Sequence, residues 1–126
     1  MNTTYKATGT ELTDAIREYI DKRLETLGKL VPDEALVHVE VSQTTKHHKQ
    51  GDIFRTEIDV RGGGVQARAA SQKDDLYAAI DDAREELARV LASKKEKSQT
   101  LFRRGAASVK KMLKGLSKRN PFTSKY

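Results

Sequence analysis

Three consecutive runs of residues with a two-residue repeat, between positions 35 and 70, constrain the fold of this chain most. In the first run, Val37, Val39 and Val41 alternate with polar residues. The next two runs continue the alternation, with Phe54, Thr56, Ile58 and Val60 and then Val65, Ala67 and Ala69 on one face. Alternation of this kind is typical of strands with one buried face. The glycines at 62–64 predict a tight turn between the last two runs. The three runs are therefore predicted to form an antiparallel meander with one apolar face.

Segments with helical spacing flank these strands. Thr13 and Asp14 have the residue types of a helix start, and the apolar residues that follow recur at helical spacing until a stop between Gly28 and Pro32. A second helix is predicted to open at the acids of positions 74 and 75 and to run to about Lys97, with an apolar stripe that begins at positions 76 and 80.

The segment before the first helix, residues 3–8, alternates polar residues with Tyr5 and Ala7 and is predicted to be a strand. The predicted order of elements is β-α-β-β-β-α. Two helices would cover one face of a four-stranded sheet, and the other face would stay polar. The fold class is therefore α+β, a two-layer sandwich, followed by a basic C-terminal tail.

The charges of the 126-residue chain are divided unevenly along it. Residues 1–93 hold 13 Lys and Arg against 17 Asp and Glu, a net charge of −4, whereas residues 94–126 hold 11 Lys and Arg and the single acid Glu96, a net charge of +10. We predict a domain over residues 1–97 and a basic tail over residues 98–126. Such asymmetry indicates a polyanionic partner, either nucleic acid or an anionic membrane surface.

The tail has too few apolar residues for a core of its own, and we expect it to be disordered when free. Val109, Met112, Leu113 and Leu116 nevertheless follow helical spacing, so a short basic amphipathic helix is predicted to form on a surface that receives it. The chain has no apolar run of about 18 residues and no signal-peptide pattern near its start, which predicts a soluble, cytoplasmic protein.

Catalysis finds little support in the sequence. Cysteine is absent, which excludes disulfides, Cys-based zinc sites and thiol chemistry, and the phosphate-binding and nucleophile motifs are missing. His47 and His48 with Asp52 could in principle bind a metal. We favour a solvated loop, because adjacent histidines in a polar loop lack a preorganised geometry and no further ligand is specified. The carboxylates at positions 81, 82, 85 and 86 are interpreted as a solvated helix face. We therefore predict a protein that is not an enzyme and holds no cofactor or metal; a nuclease using Asp59 or His47 and His48 is the weaker alternative.

Basic residues on both predicted helices and in the tail are the candidate RNA-binding residues. Those near the predicted end of the second helix have a competing explanation, because the helix dipole favours cations in a last turn. Tyr77 lies beside the apolar stripe and is either a core-edge residue, which we favour, or an exposed contact. The candidates are Lys22, Arg23, Lys29, Tyr77, Arg89, Lys94, Lys95, Lys97, Arg103, Arg104, Lys110 and Lys111. Each phosphate that such cations neutralise releases counterions, which gives salt-sensitive binding without base recognition.

Two segments resemble a known family over about residues 3–97. The first is Leu12-Thr13-x-Ala15-Ile16-Arg17, followed by Arg23-Leu24 and Leu27; the second is Asp75-Leu76-Tyr77-Ala78-Ala79-Ile80-Asp81, followed by Leu87-Ala88-Arg89, Leu91, Lys95 and Lys97. These residues resemble the ribosome hibernation factors, that is the short hibernation-promoting factor and ribosome-associated inhibitor A (protein Y). Residues 103–110 are similar to the start of a protein Y tail.

The resemblance implies a monomer that binds the small ribosomal subunit and the 70S ribosome at the subunit interface. There it would contact 16S-type rRNA of the decoding region and block mRNA and the A- and P-site tRNAs, inhibiting translation under stress or in stationary phase. The family's RNA contacts would carry over to Arg23, Lys29, Arg89, Lys95 and Lys97, with Tyr77 and Asp81 in the signature segment. Ser93 departs from the Lys that is usual in relatives, and Lys94 is its nearest substitute.

Two features of the tail bear on the subtype. The 29 residues after position 97 are too few for the dimerisation domain of the family's long form, and the tail stays basic where that of protein Y ends acidic. We therefore hypothesise that the tail binds additional rRNA, along the vacant mRNA path, and becomes ordered on the ribosome. The alternative is a module that binds a membrane or a protein partner through the amphipathic stretch at 109–116.

Overall fold

A computed structural model describes the backbone of residues 1–45 and 51–119 and the side chains of residues 1–44, 51–97 and 103–105. The elements follow the predicted order, with strand β1 at Asn2–Thr8, helix α1 at Asp14–Glu25, β2 at Leu36–Thr45, β3 at Asp52–Gly62, β4 at Val65–Lys73 and helix α2 at Leu76–Arg119. The predicted α+β class is confirmed. The chain divides into two compact units, residues 1–92 and residues 93–126, each of which is described by itself.

Helix α1 begins where the sequence predicts. The Thr13 side chain accepts a hydrogen bond from the backbone N–H of Ile16 at 3.2 Å, so it caps the first turn. The helix ends at Glu25, before the predicted stop between Gly28 and Pro32. From Leu27 onwards several backbone N–H groups bond to carbonyls three residues earlier, which makes a tighter turn than an α-helix has. This turn carries Lys29.

The sheet has the order β1-β2-β3-β4 and is mixed. β2, β3 and β4 pair antiparallel, which confirms the predicted meander, whereas β1 pairs parallel with β2. Parallel neighbours need a crossover connection, and α1 provides it. The loop at 46–50, which holds His47 and His48, lies outside the described residues.

The glycine turn between β3 and β4 is as tight as predicted. Gly62 pairs with Val65, which leaves Gly63 and Gly64 as the loop, with φ of 60° and 80°. Positive φ at both central residues is what a type I′ turn requires, and its twist matches that of the strands it joins. A Cβ on Gly63 would also lie only 2.5 Å from Cβ of Pro32. The turn therefore packs against the segment that enters β2.

One face of the sheet and the two helices form the core. The valines of β2, together with Ile58, Val60, Ala67 and Ala69, are buried, as their alternation predicts. Helix α1 contributes Ile20 and Leu24, and α2 contributes residues between Leu76 and Leu91. The opposite face carries charged side chains in ion pairs, including Arg55 and Arg68 with Glu57 and Arg61 with Asp59. This division into a buried and a polar face is the one that the two-residue repeat predicts.

Helix α2 begins one residue after Asp75, whose side chain accepts the N–H of Ala78 at 3.0 Å. Its end was predicted at about Lys97, and that prediction is wrong, because the helix continues for 22 further residues to Arg119. The added stretch contains no proline and is rich in Lys, Arg, Ala and Leu, which are good helix formers. The assignment of residues 98–126 to a tail that is disordered when free stays a prediction.

Replacing Thr56 by Val is expected to stabilise the protein. Thr56 is fully buried on the core face of β3, and none of the described residues forms a hydrogen bond with its hydroxyl. A buried hydroxyl without a partner costs about 1–3 kcal/mol, and Val keeps the shape without that group. Urea unfolding should give a free energy of unfolding higher by about 1 kcal/mol. The exposed Thr8 of β1 is the control, since Thr8→Val should change stability by less than about 0.5 kcal/mol. Equal effects of the two substitutions would contradict the explanation.

Candidate nucleic-acid interface

Helix α1 and the first turns of α2 are joined by a polar network centred on Arg23. The Tyr19 hydroxyl donates a hydrogen bond to Oδ1 of Asp81 at 2.5 Å. Nε of Arg23 lies 3.1 Å from the same oxygen in an ion pair that lacks hydrogen-bond geometry, and its Nη2 donates to Oε1 of Glu85 at 3.1 Å. The hydrogen bond to Asp81 is the main cause that raises the pKa of Tyr19 above its ordinary value. The network fixes the two helices relative to each other.

Arg84 belongs to the same network and was not singled out in the sequence. Its Nε and Nη2 donate to Oγ1 of Thr26 at 3.0 and 2.7 Å, and its Nη1 donates to Glu85 at 3.1 Å. The Thr26 hydroxyl in turn donates to the backbone carbonyl of Arg23 at 2.6 Å. Only 17% of the Arg84 side chain is exposed. Arg84 therefore joins the end of α1 to α2, a role that shows only when the two helices are brought together.

The interpretation of the α2 carboxylates as a solvated face holds in part, because their side chains are partly exposed but also have partners within the domain. Asp81 and Glu85 bind the α1 side chains just described, and Glu86 accepts a hydrogen bond from Nη2 of Arg89 at 2.6 Å. Asp82 accepts one from the Ser71 hydroxyl at 2.5 Å. These acids remain partly exposed, but each has a partner within the domain. Their pairings were not predicted, because the partners lie on other elements or depend on the side-chain conformations.

The predicted RNA-binding residues of α1 differ in their availability. Arg23 is only 32% exposed and is held by two carboxylates, so it mainly joins the helices. Lys22, in contrast, is largely exposed, and its one ion pair, with Glu18 at 3.3 Å, is of the surface type that contributes about 0–1 kcal/mol. Lys29 is exposed in the turn after α1. Lys22 and Lys29 can therefore bind a phosphate group with little loss of existing interactions.

Tyr77 and Arg89 both lie on the part of α2 that packs on the domain. Tyr77 is 41% exposed, and its ring meets that of Tyr19 edge-on, with centroids 4.9 Å apart and an interplanar angle of 82°. It packs against Tyr19, which lies against the core, and it is also partly exposed, so both interpretations, a core-edge residue and an exposed contact, stay open. Arg89 is exposed, and its hydrogen bond to Glu86 is the first cause that raises its pKa.

The remaining candidates lie in the second compact unit, on the later turns of α2. Lys94, Lys95, Lys97, Arg103 and Arg104 are all exposed, and Lys110 and Lys111 have helical backbone but side chains outside the described residues. The dipole explanation for the cluster at 94–97 fails, because the effect of the dipole falls off within the last turn and α2 ends at Arg119. The capacity of these residues to bind a polyanion stays a prediction.

Other kinds of site are not seen in the part of the chain that the structure describes. Within residues 1–45 and 51–119, no group of three or more His, Asp or Glu side chains has the arrangement of a metal site. In the same ranges, no helix is long and apolar enough to cross a membrane. A cavity of about 370 Å³ between β1 and α1 is lined by Met1, Thr3, Tyr5, Asp21, Leu24 and Glu25, none of them a candidate RNA-binding residue.

Comparison with known proteins assigns the family. The family described as sigma 54 modulation protein / S30EA ribosomal protein matches residues 3–99. The chain belongs to this family. A ribosome hibernation promoting factor of Azotobacter vinelandii is 30% identical over 87 residues, which are 69% of this chain and 76% of that protein.

Two solved structures share the fold. The N-terminal domain of Thermus thermophilus Protein Y has a TM-score of 0.61 and 34% sequence identity, over 72% of this chain and 96% of that domain. A ribosomal subunit interface protein from Coxiella burnetii has the same TM-score of 0.61 at 21% identity, over 76% and 99% of the two chains. The second likeness concerns the fold alone. The resemblance found in the sequence is confirmed.

Proposed function

We propose that this protein is a ribosome hibernation factor. It binds the small ribosomal subunit at the subunit interface, in the decoding region, and excludes mRNA and the A- and P-site tRNAs. The observation that carries the proposal is the family match over residues 3–99, which includes the whole sandwich. The 34% identity to a Protein Y domain, over nearly all of that domain, supports it.

The mechanism that we propose is steric. A domain that occupies the place of a tRNA must resist deformation, and the described network ties α1 to α2 through Arg23, Arg84 and their carboxylates. Partly buried charged hydrogen bonds of this kind are stronger than those on an open surface. Arg23 would thus act by positioning the helices, while Lys22, Lys29 and Arg89 reach rRNA phosphates.

The distribution of charge favours one orientation on RNA. Residues 1–93 carry a net charge of −4, so most of the domain surface is repelled by phosphate. Binding is favoured where exposed cations cluster and can face the RNA, as at the end of α1 and on the exposed turns of α2 from Arg89 onwards. We propose that these cations dock the protein as a monomer in the cytoplasm, without a catalytic step and without a cofactor.

Sucrose-gradient co-sedimentation tests the proposal. The protein is expected to move with vacant 30S and 70S particles and to be released when mRNA and tRNA fill the decoding region, because both would occupy the same space. Isolated 50S subunits are the control and should leave it at the top of the gradient. If saturating tRNA left the bound fraction unchanged, the proposed site would be wrong, and if 30S subunits did not bind the protein at all, so would the function.

A further inference from the structure

We propose that residues 98–119 of α2, the basic segment, form a second RNA-binding element that grips the phosphate backbone of structured RNA without reading its sequence. This proposal rests on the proposed function, because it adds a second contact to the same ribosome-bound protein. The family match ends at residue 99, so nothing in the assigned family region accounts for this segment.

Helix α2 includes the backbone of the basic segment. Helix α2 covers Leu76–Arg119 as one element, so these residues need no separate nucleation of a helix when they bind. Arg103 and Arg104, whose side chains are described, are both exposed. A helix formed before binding lowers the entropy cost that a disordered tail would incur on RNA.

The cations of the segment follow a regular spacing along this helix. Lys97, which directly precedes the segment, and Arg104, Lys111 and Lys118 within it recur every seven residues. Seven residues advance an α-helix by about 10.5 Å, and the position drifts by only about 20° around the axis. These four positions therefore lie along one slowly turning line, about 31 Å long. No acid follows Glu96 in the sequence, so no carboxylate of the segment itself can neutralise them.

Charge complementarity selects RNA as the partner. Two copies of the segment would repel each other, since each is purely cationic. An anionic membrane would accept the apolar stripe of residues 109–116, but we favour RNA because the segment is continuous in α2 with the residues that match a ribosomal protein family. Each phosphate contact on RNA releases condensed counterions, so a line of cations gives binding that depends steeply on salt.

The test compares two full-length variants that differ in charge alone. The neutral variant is Arg104→Gln, Lys111→Gln and Lys118→Gln; the charged variant is Arg104→Lys, Lys111→Arg and Lys118→Arg. Gln, Lys and Arg have similar helix propensities, so circular dichroism should be the same for both. Binding is measured across salt concentrations with 30S subunits and with a naked RNA hairpin of unrelated sequence.

The neutral variant is expected to lower the slope of log affinity against log salt by about 2–3 units on both RNAs, at roughly 0.7–0.9 per contact, and to bind at least about tenfold more weakly at low salt. The charged variant should match the wild type. Equal slopes for all three proteins would overturn the inference while leaving the proposed function intact if 30S binding itself persists.

Binding to vesicles of phosphatidylglycerol and phosphatidylcholine is measured as well. If the neutral variant lost binding to vesicles but not to RNA, the segment would be assigned to membranes and the RNA proposal would be overturned.

Discussion

Replacing Arg89, Lys95 and Lys97 together by Glu is expected to weaken binding to the 30S subunit by at least about a hundredfold at low salt. Losing three phosphate contacts alone removes roughly 2–3 units from the salt slope, and the new carboxylates add repulsion from the RNA backbone. All three side chains are exposed on α2, so the domain should fold normally. Filter binding or co-sedimentation across salt concentrations measures both the loss of affinity and the slope.

A matched control separates local contacts from net charge. Lys6, Arg61 and Lys73 are also exposed, on the sheet, and their replacement by Glu changes the net charge by the same amount. This control is expected to weaken binding far less, since its sites are not on the proposed RNA-binding turns. If both triple variants lost affinity equally, the binding would depend on overall charge and the proposed interface would be wrong.

Arg23 is left out of this reversal for a structural reason. It is bound by Asp81 and Glu85, so placing Glu there would set carboxylates against one another at the contact between the helices. Loss of ribosome binding in such a variant would report damage to the domain as much as loss of a phosphate contact. The sequence resemblance assigns Arg23 to RNA, whereas the geometry assigns it first to the helix pair.

The strands and helix starts were predictable because their signals are local. Alternating valines in β2, the caps at Thr13 and Asp75 and the glycine turn each depend on residues close together in the chain. The parallel pairing of β1 with β2 depends on partners 34 positions apart, such as Thr4 and His38, and no periodicity within a strand encodes it. The length of α2 was missed because the lysine cluster at 94–97 was read as a helix end, and the apolar stripe at 109–116 was assigned to a separate helix.

The basic residues of the candidate site were predictable from the sequence, but their ion pairs and hydrogen bonds were not. Runs of Lys and Arg are visible in any sequence, and their exposure at Lys95, Lys97 and Arg104 follows from their charge. Which of them are neutralised by a neighbouring carboxylate depends on how two helices pack, as for Arg84 on Thr26 and Glu85. The sequence therefore identifies the basic residues, and the structure distinguishes those that join the helices from those that are exposed and available for RNA.

Replacing Leu87 by Ala is expected to lower the free energy of unfolding by roughly 2–5 kcal/mol, out of the 5–15 kcal/mol typical of a domain. Leu87 is fully buried in the core between α2 and the sheet. Ala has the highest helix propensity, so the loss comes from packing and not from the helix itself. Thermal unfolding followed by circular dichroism should show a melting temperature lower by at least about 10 °C.

Two control substitutions test whether the loss of stability comes from the buried volume of Leu87. Leu36 is 61% exposed on the open face of the sheet, and Leu36→Ala should change stability by less than about 0.5 kcal/mol. Leu87→Met nearly conserves volume and should cost less than about 1.5 kcal/mol. Below its melting temperature, the Leu87→Ala protein should still bind 30S subunits like the wild type, because its cations are unchanged. Similar losses of stability at positions 36 and 87 would show that α2 does not pack on the sheet as described, and the steric mechanism, which needs a rigid domain, would lose its basis.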